Sequence, residues 1–590
     1  MIQVSEEYKK ACKSPIRQSY NIIKYGLYNK EAKTKINSYS SSSNQIFSNI
    51  PQIYDENKEK QYDYISCEKD RVILNNNFIF IKDKTKINPN QNIGYWSKDQ
   101  SNANCLFNNN PIIILSFNSN IPFTYLTMYF QEVVEELKIS YFIDDIKSYE
   151  INIKQNNNET FEANDNLHHN TGYFNKIIIE FIKTKTPNRY IKLNEIDFGI
   201  YEIFGKKDIV SIDIIDELSI DSSELSSNSL NVTIKDTNGE YDILNPYNKL
   251  KNMQERQEIT CYHYLKVGNK YQEIPLGTFL LKNAESSNKE LMLECYDDTY
   301  FMNKIYYGSK FYIDEEVTNI LTDLFTFFNY TKYLIDDELK GIKLTGYIPQ
   351  VEMREALRLI AEASGCVVNK TRYGITYIFK TYDPCVKMFD TNEYERLNPK
   401  KNLYNNVIDV EVYNYEIVQE TILYSATLNK GEYIINFKEK PIVYSDYVND
   451  KEFIKNNNND YTIDILYATC CKITVNSDNQ LVQISARYYN ENPNIQRVKK
   501  GETNIEEYSI KKVTNKLITN KNYLEVANWK LNKNEIKYNF DCLMTPYIEV
   551  GDTCKIKTKY KNLNGEYIKR QFIPTYINFT NSLKQNIEGE

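Results

Sequence analysis

Short apolar runs, each cut off by an Asn-rich or Gly-containing turn, recur along most of this chain, and helical periodicity is confined to one stretch. Runs of that kind read as strands, and many in succession point to β-sandwiches or barrels. Over 71–205 they include Val72-Ile73-Leu74, Phe78 to Ile81, Ile112 to Phe117, Tyr125 to Phe130, Ile139 to Ile143, Lys176 to Ile182 and Ile191 to Leu193. Over 206–300 they continue with Val232-Thr233-Ile234, Leu276 to Leu281 and Leu291 to Cys295. Asn238-Gly239 predicts a hairpin turn before Tyr241. The ending, Pro546 to Ile556 and then Asn564-Gly565 and Gln571 to Pro574, predicts two strands joined by an Asn-Gly turn, with Gly551-Asp552 as a tight turn before the first.

Helical spacing appears only within 301–382. Val317, Ile320, Leu321, Leu324 and Phe328 recur on one face, with Glu315 and Glu316 where the helix dipole favours acids. A second helix is predicted from about Gln350 to Ser364, with Gly365 as its stop. Cys366 to Val368 and Ile375 to Phe379 then make a hairpin across Tyr373-Gly374. At about 150 residues per domain, 590 residues give about four domains. The fold class expected is mainly β and multidomain. The division is an N-terminal arm with a short helix over 1–70 and a β-sandwich over 71–205. A first β domain follows over 206–300, a small α+β unit over 301–382 and a closing β region over 383–590. Ser40 to Ser43 reads as a loop or flexible link, and Asp383-Pro384 and Asn456 to Asn459 as loops.

Composition narrows the function. A net charge of −7 supplies no chain-wide basic footprint for nucleic acid. No apolar run reaches the length of a membrane span, and the N-terminus lacks the apolar core of a secretion signal. Eleven scattered cysteines without a CxxC pair read as reduced, buried side chains of a protein made in a cytosol. Three histidines, His168, His169 and His263, thin the field of His-dependent catalysis. Carboxylate chemistry stays open, since acidic pairs such as Asp144-Asp145 and Asp297-Asp298 could in principle flank a cleft.

Each candidate motif has a plainer reading. Asp236, Asn238, Glu240 and Asp242 alternate as Ca²⁺ ligands would, but the loop lacks the closing Glu of an EF-hand, and a turn with solvated acids is preferred. His168-His169 reads as a solvated loop and Cys470-Cys471 as a strand with one thiol in the core. Arg354 and Arg358 read as a solvated helix face. Tyr95 and Trp96, in Gly94-Tyr95-Trp96-Ser97, are the candidate ligand-binding residues, because an aromatic in a polar loop can stack on a sugar. Their plainer reading is a tryptophan that closes the sandwich core. No catalytic residue, metal site or cofactor is assigned.

The order of the pieces carries a resemblance. MIQVSEEYKKACKSPIRQ is followed by GYWS, PIIILSF and PNRYIKLNEIDFGIYEIF. Next come DELSIDSSELSSNSLNVTIKDTNGEYDILNP, EIPLGTFLL and LMLECYDDTYFM, and then TNILTDLF, MREALRLIAEASG and YIEVGDTCKI. This resembles the tail-tip or baseplate hub proteins of phages of low-GC Gram-positive bacteria. The segment 71–205 is similar to galactose-binding-like jelly-rolls, and 206–590 to the hub fold with its β-barrels and small α+β insert.

The resemblance implies a structural virion protein, made in the host cytoplasm and placed at the tail tip. It implies a homotrimeric ring whose paired barrels match the tail tube, with distal tail proteins and the tape-measure protein as partners. It also implies a jelly-roll that packs on neighbouring tail proteins or touches a host glycan. Because the chain stops soon after Asn564-Gly565, no wall-digesting module is expected. No sequence-specific nucleic acid and no stable membrane insertion are expected. The competing readings are a carbohydrate-active cell-wall hydrolase with an N-terminal binding module, and a surface adhesin.

Overall fold

The computed structural model describes residues 2–14, 16–28, 30–45, 48–55, 68, 93–122, 126–154, 156, 160–163, 173–245, 253–287, 289–380, 382, 385–401, 407–443, 461–500, 510–532, 536–580 and 584–590. The runs at Val72 and Phe78, the His168-His169 pair, Asp383-Pro384 and Asn456 to Asn459 lie outside the described residues. The chain is mainly β and divides into two compact units, one of 24–203 with 236–257 and one of 1–23, 204–235 and 258–590.

The first of these units is a sandwich. One sheet runs in the order Ile36–Ser41, Ile112–Pro122, Tyr173–Thr184, Val134–Ile143, Ile146–Lys154, all antiparallel. Facing it, Lys192–Phe204 pairs with Leu126–Phe130 and with Tyr95–Trp96. Side chains alternate across each strand, so Ile113, Leu115, Ile177, Ile179, Leu137 and Ile139 all enter one core with Leu126, Met128, Leu193 and Ile196. The arm expected over 1–70 is divided. Ile36–Ser41 is an edge strand of this sheet, and Ala32, Ile50 and Ile53 are buried in its core. The serine run is thus no free link: Ser40 and Ser41 lie in register with Ile114 and Ile113.

The other unit is built on one antiparallel sheet, in the order Tyr394–Lys401, Ile536–Leu543, Lys584–Gly589, Pro574–Thr580, Ile209–Glu217, Ser229–Lys235, Glu290–Tyr296, Lys270–Ser287, Glu258–Val267. The first and last β regions of the sequence meet where Asp213 to Glu217 pair with Thr580 to Tyr576. Leu230, Val232 and Ile234 point inward beside Leu291, Leu293 and Cys295.

The two predicted helices form as Val317–Phe327 and Met353–Ser364. Gly365, at φ 66°, caps the second in the left-handed conformation that its lack of a Cβ permits. The predicted hairpin forms as Val367–Lys370 and Thr376–Phe379. This α+β piece does not close on itself. Its core also takes Ile408, Val410, Val412, Val513, Leu517, Val526 and Ala527, which come from the region assigned to a separate closing domain. A helix absent from the expectations, Tyr523–Leu531, supplies part of that core.

A long hairpin, Val407–Leu428 with Gln480–Lys499, leads to a small sheet of Gly431–Asn436, Cys470–Val475 and Tyr461–Leu466 with its own core. There Cys471 enters that core, while Cys470, on the other face of the strand, is buried as well and sets its thiol 3.4 Å from the Tyr307 carbonyl. Cys554–Lys561 pairs with Tyr567–Phe572 across the predicted Asn-Gly turn. The Asn238-Gly239 hairpin does not form. Asp236 accepts the backbone N–H groups of Glu240 and Tyr241, both at 2.8 Å, and residues 237–245 make turns instead of a returning strand.

Candidate functional site

Tyr95 and Trp96 occupy a two-residue strand hydrogen-bonded to Lys192–Phe204, which sends Tyr95 into the sandwich core and Trp96 to the opposite face. Tyr95 is 0% exposed and Trp96 2%. The Tyr95 hydroxyl donates to the Ser43 carbonyl at 2.5 Å, and the Trp96 N–H of the backbone donates to Ser48 Oγ at 3.0 Å. Stacking on a sugar requires an open ring face, and neither ring offers one. Tyr95 is spent in the sandwich core and Trp96 is buried against Lys192 and Tyr190, and the sugar-stacking role expected of them is corrected on that ground.

Polar chemistry gathers behind Trp96. Lys192 Nζ lies 4.6 Å above its ring, and Tyr190 lies 6.0 Å from it between centroids. Lys192 pairs with Glu68 and, at 3.3 Å, with Glu132. Glu132 also holds Arg189 at 3.1 Å. Glu68 accepts the Tyr190 backbone N–H at 2.9 Å. Charges this deeply placed are tolerated only when paired and hydrogen-bonded.

Beside them opens a cavity of about 130 Å³, lined by Glu132, Thr184, Lys185, Thr186, Arg189 and Tyr190. A guanidinium, a carboxylate and an aromatic edge around a small cleft are suited to gripping hydroxyls in fixed directions. The sequence held a signal for this cleft in PNRYIKL, where the Arg-Tyr pair stands between a polar turn and the strand that starts at Lys192. Nothing local marked Glu132 as its partner.

A second buried cluster lies in the same unit. Lys33 Nζ sits 2.7 Å from Glu195 and 2.6 Å from Asp197. Burial works against the lysine's charge, but Asp197 and Glu195 outweigh it and hold the ammonium above its ordinary range.

The acidic pairs that could have served hydrolysis are engaged otherwise. Asp297 caps a short 3-10 turn, accepting from Thr299 N at 3.0 Å and Asn228 N at 2.8 Å. Burial, with help from the charge of Asp298, pushes its carboxyl up to about 7. Asp298 pairs with Lys370 at 2.6 Å. Asp144 and Asp145 lie in a tight turn at φ 47° and 66°, bound to Asn175 and Lys176.

Arg354 and Arg358 are not on a solvated face: Arg354 donates to the Leu225 carbonyl, and Arg358 pairs with Glu355 at 2.8 Å and Glu362 at 3.1 Å. Among the described residues no group of His, Cys, Asp or Glu is placed to hold a metal ion, and no helix is long and apolar enough to cross a membrane.

Compared with known proteins, the chain matches no protein-family model and no curated protein. Among solved structures it is similar to phage tail and baseplate proteins. The 43 kDa tail protein of prophage MuSo2 from Shewanella oneidensis aligns with 66% of this chain and 95% of its own, at 10% identity and a TM-score of 0.35. The tail protein from Neisseria meningitidis MC58 aligns with 66% of this chain and 93% of its own, at 10% identity and a TM-score of 0.37. A family 32 carbohydrate-binding module from C. perfringens NanJ, solved in complex with galactose, aligns with 30% of this chain and 99% of its own, at 10% identity and a TM-score of 0.19.

Proposed function

We propose that this chain is a structural hub subunit at the tip of a phage tail or tail-like particle. It forms a homotrimeric ring that joins the tail tube to the tip, with distal tail proteins and the tape-measure protein as neighbours. The observation that supports this most is the joining of Ile209–Glu217 to Pro574–Thr580. It brings the two β regions of the sequence into one sheet with the α+β insert between them in the chain. A ring that matches a hexameric tube from three subunits needs two tube-facing β regions per chain. The chain acts by assembly and not by hydrolysis, in keeping with the structural use made of Asp297, Asp298, Asp144 and Asp145.

In this reading the sandwich unit offers its cleft at Glu132, Arg189 and Tyr190 to a host glycan, in place of Tyr95 and Trp96. The hub reading is tested by light scattering on the full chain, alone and with the tail-tube protein. A particle of three chain masses is expected, and a monomer under both conditions would overturn it.

A further inference from the structure

The hairpin over 554–572 departs from the rest of this acidic chain. It carries Lys555, Lys557, Lys559, Lys561, Lys569 and Arg570 against one acid, Glu566. In its first strand, CKIKTKYK, lysine stands at every second position, and the ladder shifts register between Lys557 and Lys561. Lys557 lies directly opposite Lys569 in the ladder. Like charges across a strand pair are destabilising, so folding alone gives no reason for this arrangement. Lys557 is paired, with Asp390 at 3.1 Å. Among the described residues the other basic side chains of the hairpin have no ion pair.

At the tip, among the polar turn residues Asn562, Asn564 and Glu566, one leucine stands out, and a tyrosine flanks it on each strand. Leu563 is 106% exposed, Tyr560 64% and Tyr567 41%. Lys557 and Lys561 ammonium groups sit 4.7 and 5.0 Å from the Tyr567 ring, and Lys559 sits 5.5 Å from that of Tyr560.

We infer that this hairpin is a contact site for an anionic lipid surface, which it meets peripherally and reversibly. The layering fits one. A bare leucine at the tip reaches the acyl boundary, tyrosines sit at headgroup depth, and lysines on long stems place their charges among lipid phosphates. A nucleic acid would account for the lysines but leaves Leu563 without a role, and a stacking base would have to displace the ammonium groups from Tyr567. The inference rests on the chemistry of the hairpin and does not need the hub reading.

Sedimentation of the full chain with vesicles tests it, using phosphatidylcholine alone or mixed with phosphatidylglycerol. Binding is expected only to the mixed vesicles, weakening as salt is raised. The double variant Lys559→Glu with Lys569→Glu should lose at least about tenfold in that binding, and Leu563→Ser about tenfold. All three side chains are exposed, so an unchanged melting curve shows that the fold is kept. Absence of binding, equal binding to both vesicles, or no effect of Leu563→Ser would overturn the inference. Displacement of the vesicles by a single-stranded oligonucleotide whose own binding ignores Leu563→Ser would overturn it in favour of nucleic acid.

Discussion

His263 shows what a single buried group does to the whole stability curve. It is fully buried on the strand Glu258–Val267, with Nδ1 2.8 Å from Asn21 Oδ1. Burial, with the nearby charge of Arg17, pushes its pKa down to about 3. The folded chain therefore keeps this imidazole neutral at pH values where the unfolded chain, near 6.5, takes up a proton. The stability it contributes is present above about pH 6.5 and is lost as pH falls toward 3, by at most about 1.4 kcal/mol per pH unit.

Asp297 runs the other way. Its folded pKa of about 7 lies above the ordinary carboxylate value, so its contribution is full at low pH and is lost as pH rises toward 7. The wild-type curve sums both slopes. Urea midpoints of His263→Gln and of wild type from pH 4 to 7 separate them. The difference should shrink in wild type's disfavour as the medium is acidified, and a difference independent of pH would refute the buried neutral histidine. None of this was legible from residue type. The sequence marked Trp96 as an unusual aromatic, but whether a ring is exposed or covered depends on its partner strand, and Lys192, opposite Trp96, is nearly a hundred residues away.

At the scale of elements, local signals held where the element makes its own hydrogen bonds. The turn at Asn564-Gly565 formed because Asn562 Oδ1 takes the N–H groups of Asn564 at 3.0 Å and Glu566 at 2.9 Å. At Asn238-Gly239 a turn forms but no strand returns, because the Asp236 carboxylate takes the N–H groups of Glu240 and Tyr241. The helix Tyr523–Leu531 was hidden because its buried face includes Lys530, paired with Glu362 at 2.8 Å, and a lysine breaks the apolar stripe by which helices are read.

Two glycines separate conformational from steric demand. Gly565 has φ 79° and open space where a Cβ would go, so Gly565→Ala should cost about 1 kcal/mol from backbone strain alone. At Gly346, φ is 131° and a Cβ would fall 2.2 Å from the Lys516 carbonyl oxygen. Gly346→Ala must move the backbone of another strand connection, and a loss of about 3 kcal/mol or more is expected. Denaturant titration of both variants checks the ranking, and equal losses would contradict it.

For the whole molecule, the distribution of cores sets how it comes apart. Apolar runs are legible as strands one by one, but which runs share a core is not, since that depends on pairings such as Asp213 with Thr580 across most of the chain. A boundary at 382 would cut through a core that Leu357 shares with Val410 and Val526, and one at 300 would part Leu225 from that same core. Ile177, Phe181 and Leu193 belong to a different core, that of the sandwich.

Chains with separate cores need not unfold in one step. A calorimetric scan should therefore show more than one transition, and each should answer to its own core. Trp96→Ala removes a large buried side chain from the sandwich unit and should lower one transition by the equivalent of about 3–5 kcal/mol. Leu357→Ala, in the core of the α+β piece, should lower the other by about 2–5 kcal/mol. If either variant moved every transition together, the two units would be unfolding as one, and cores built from distant segments would have been coupled more tightly than their separate packing requires.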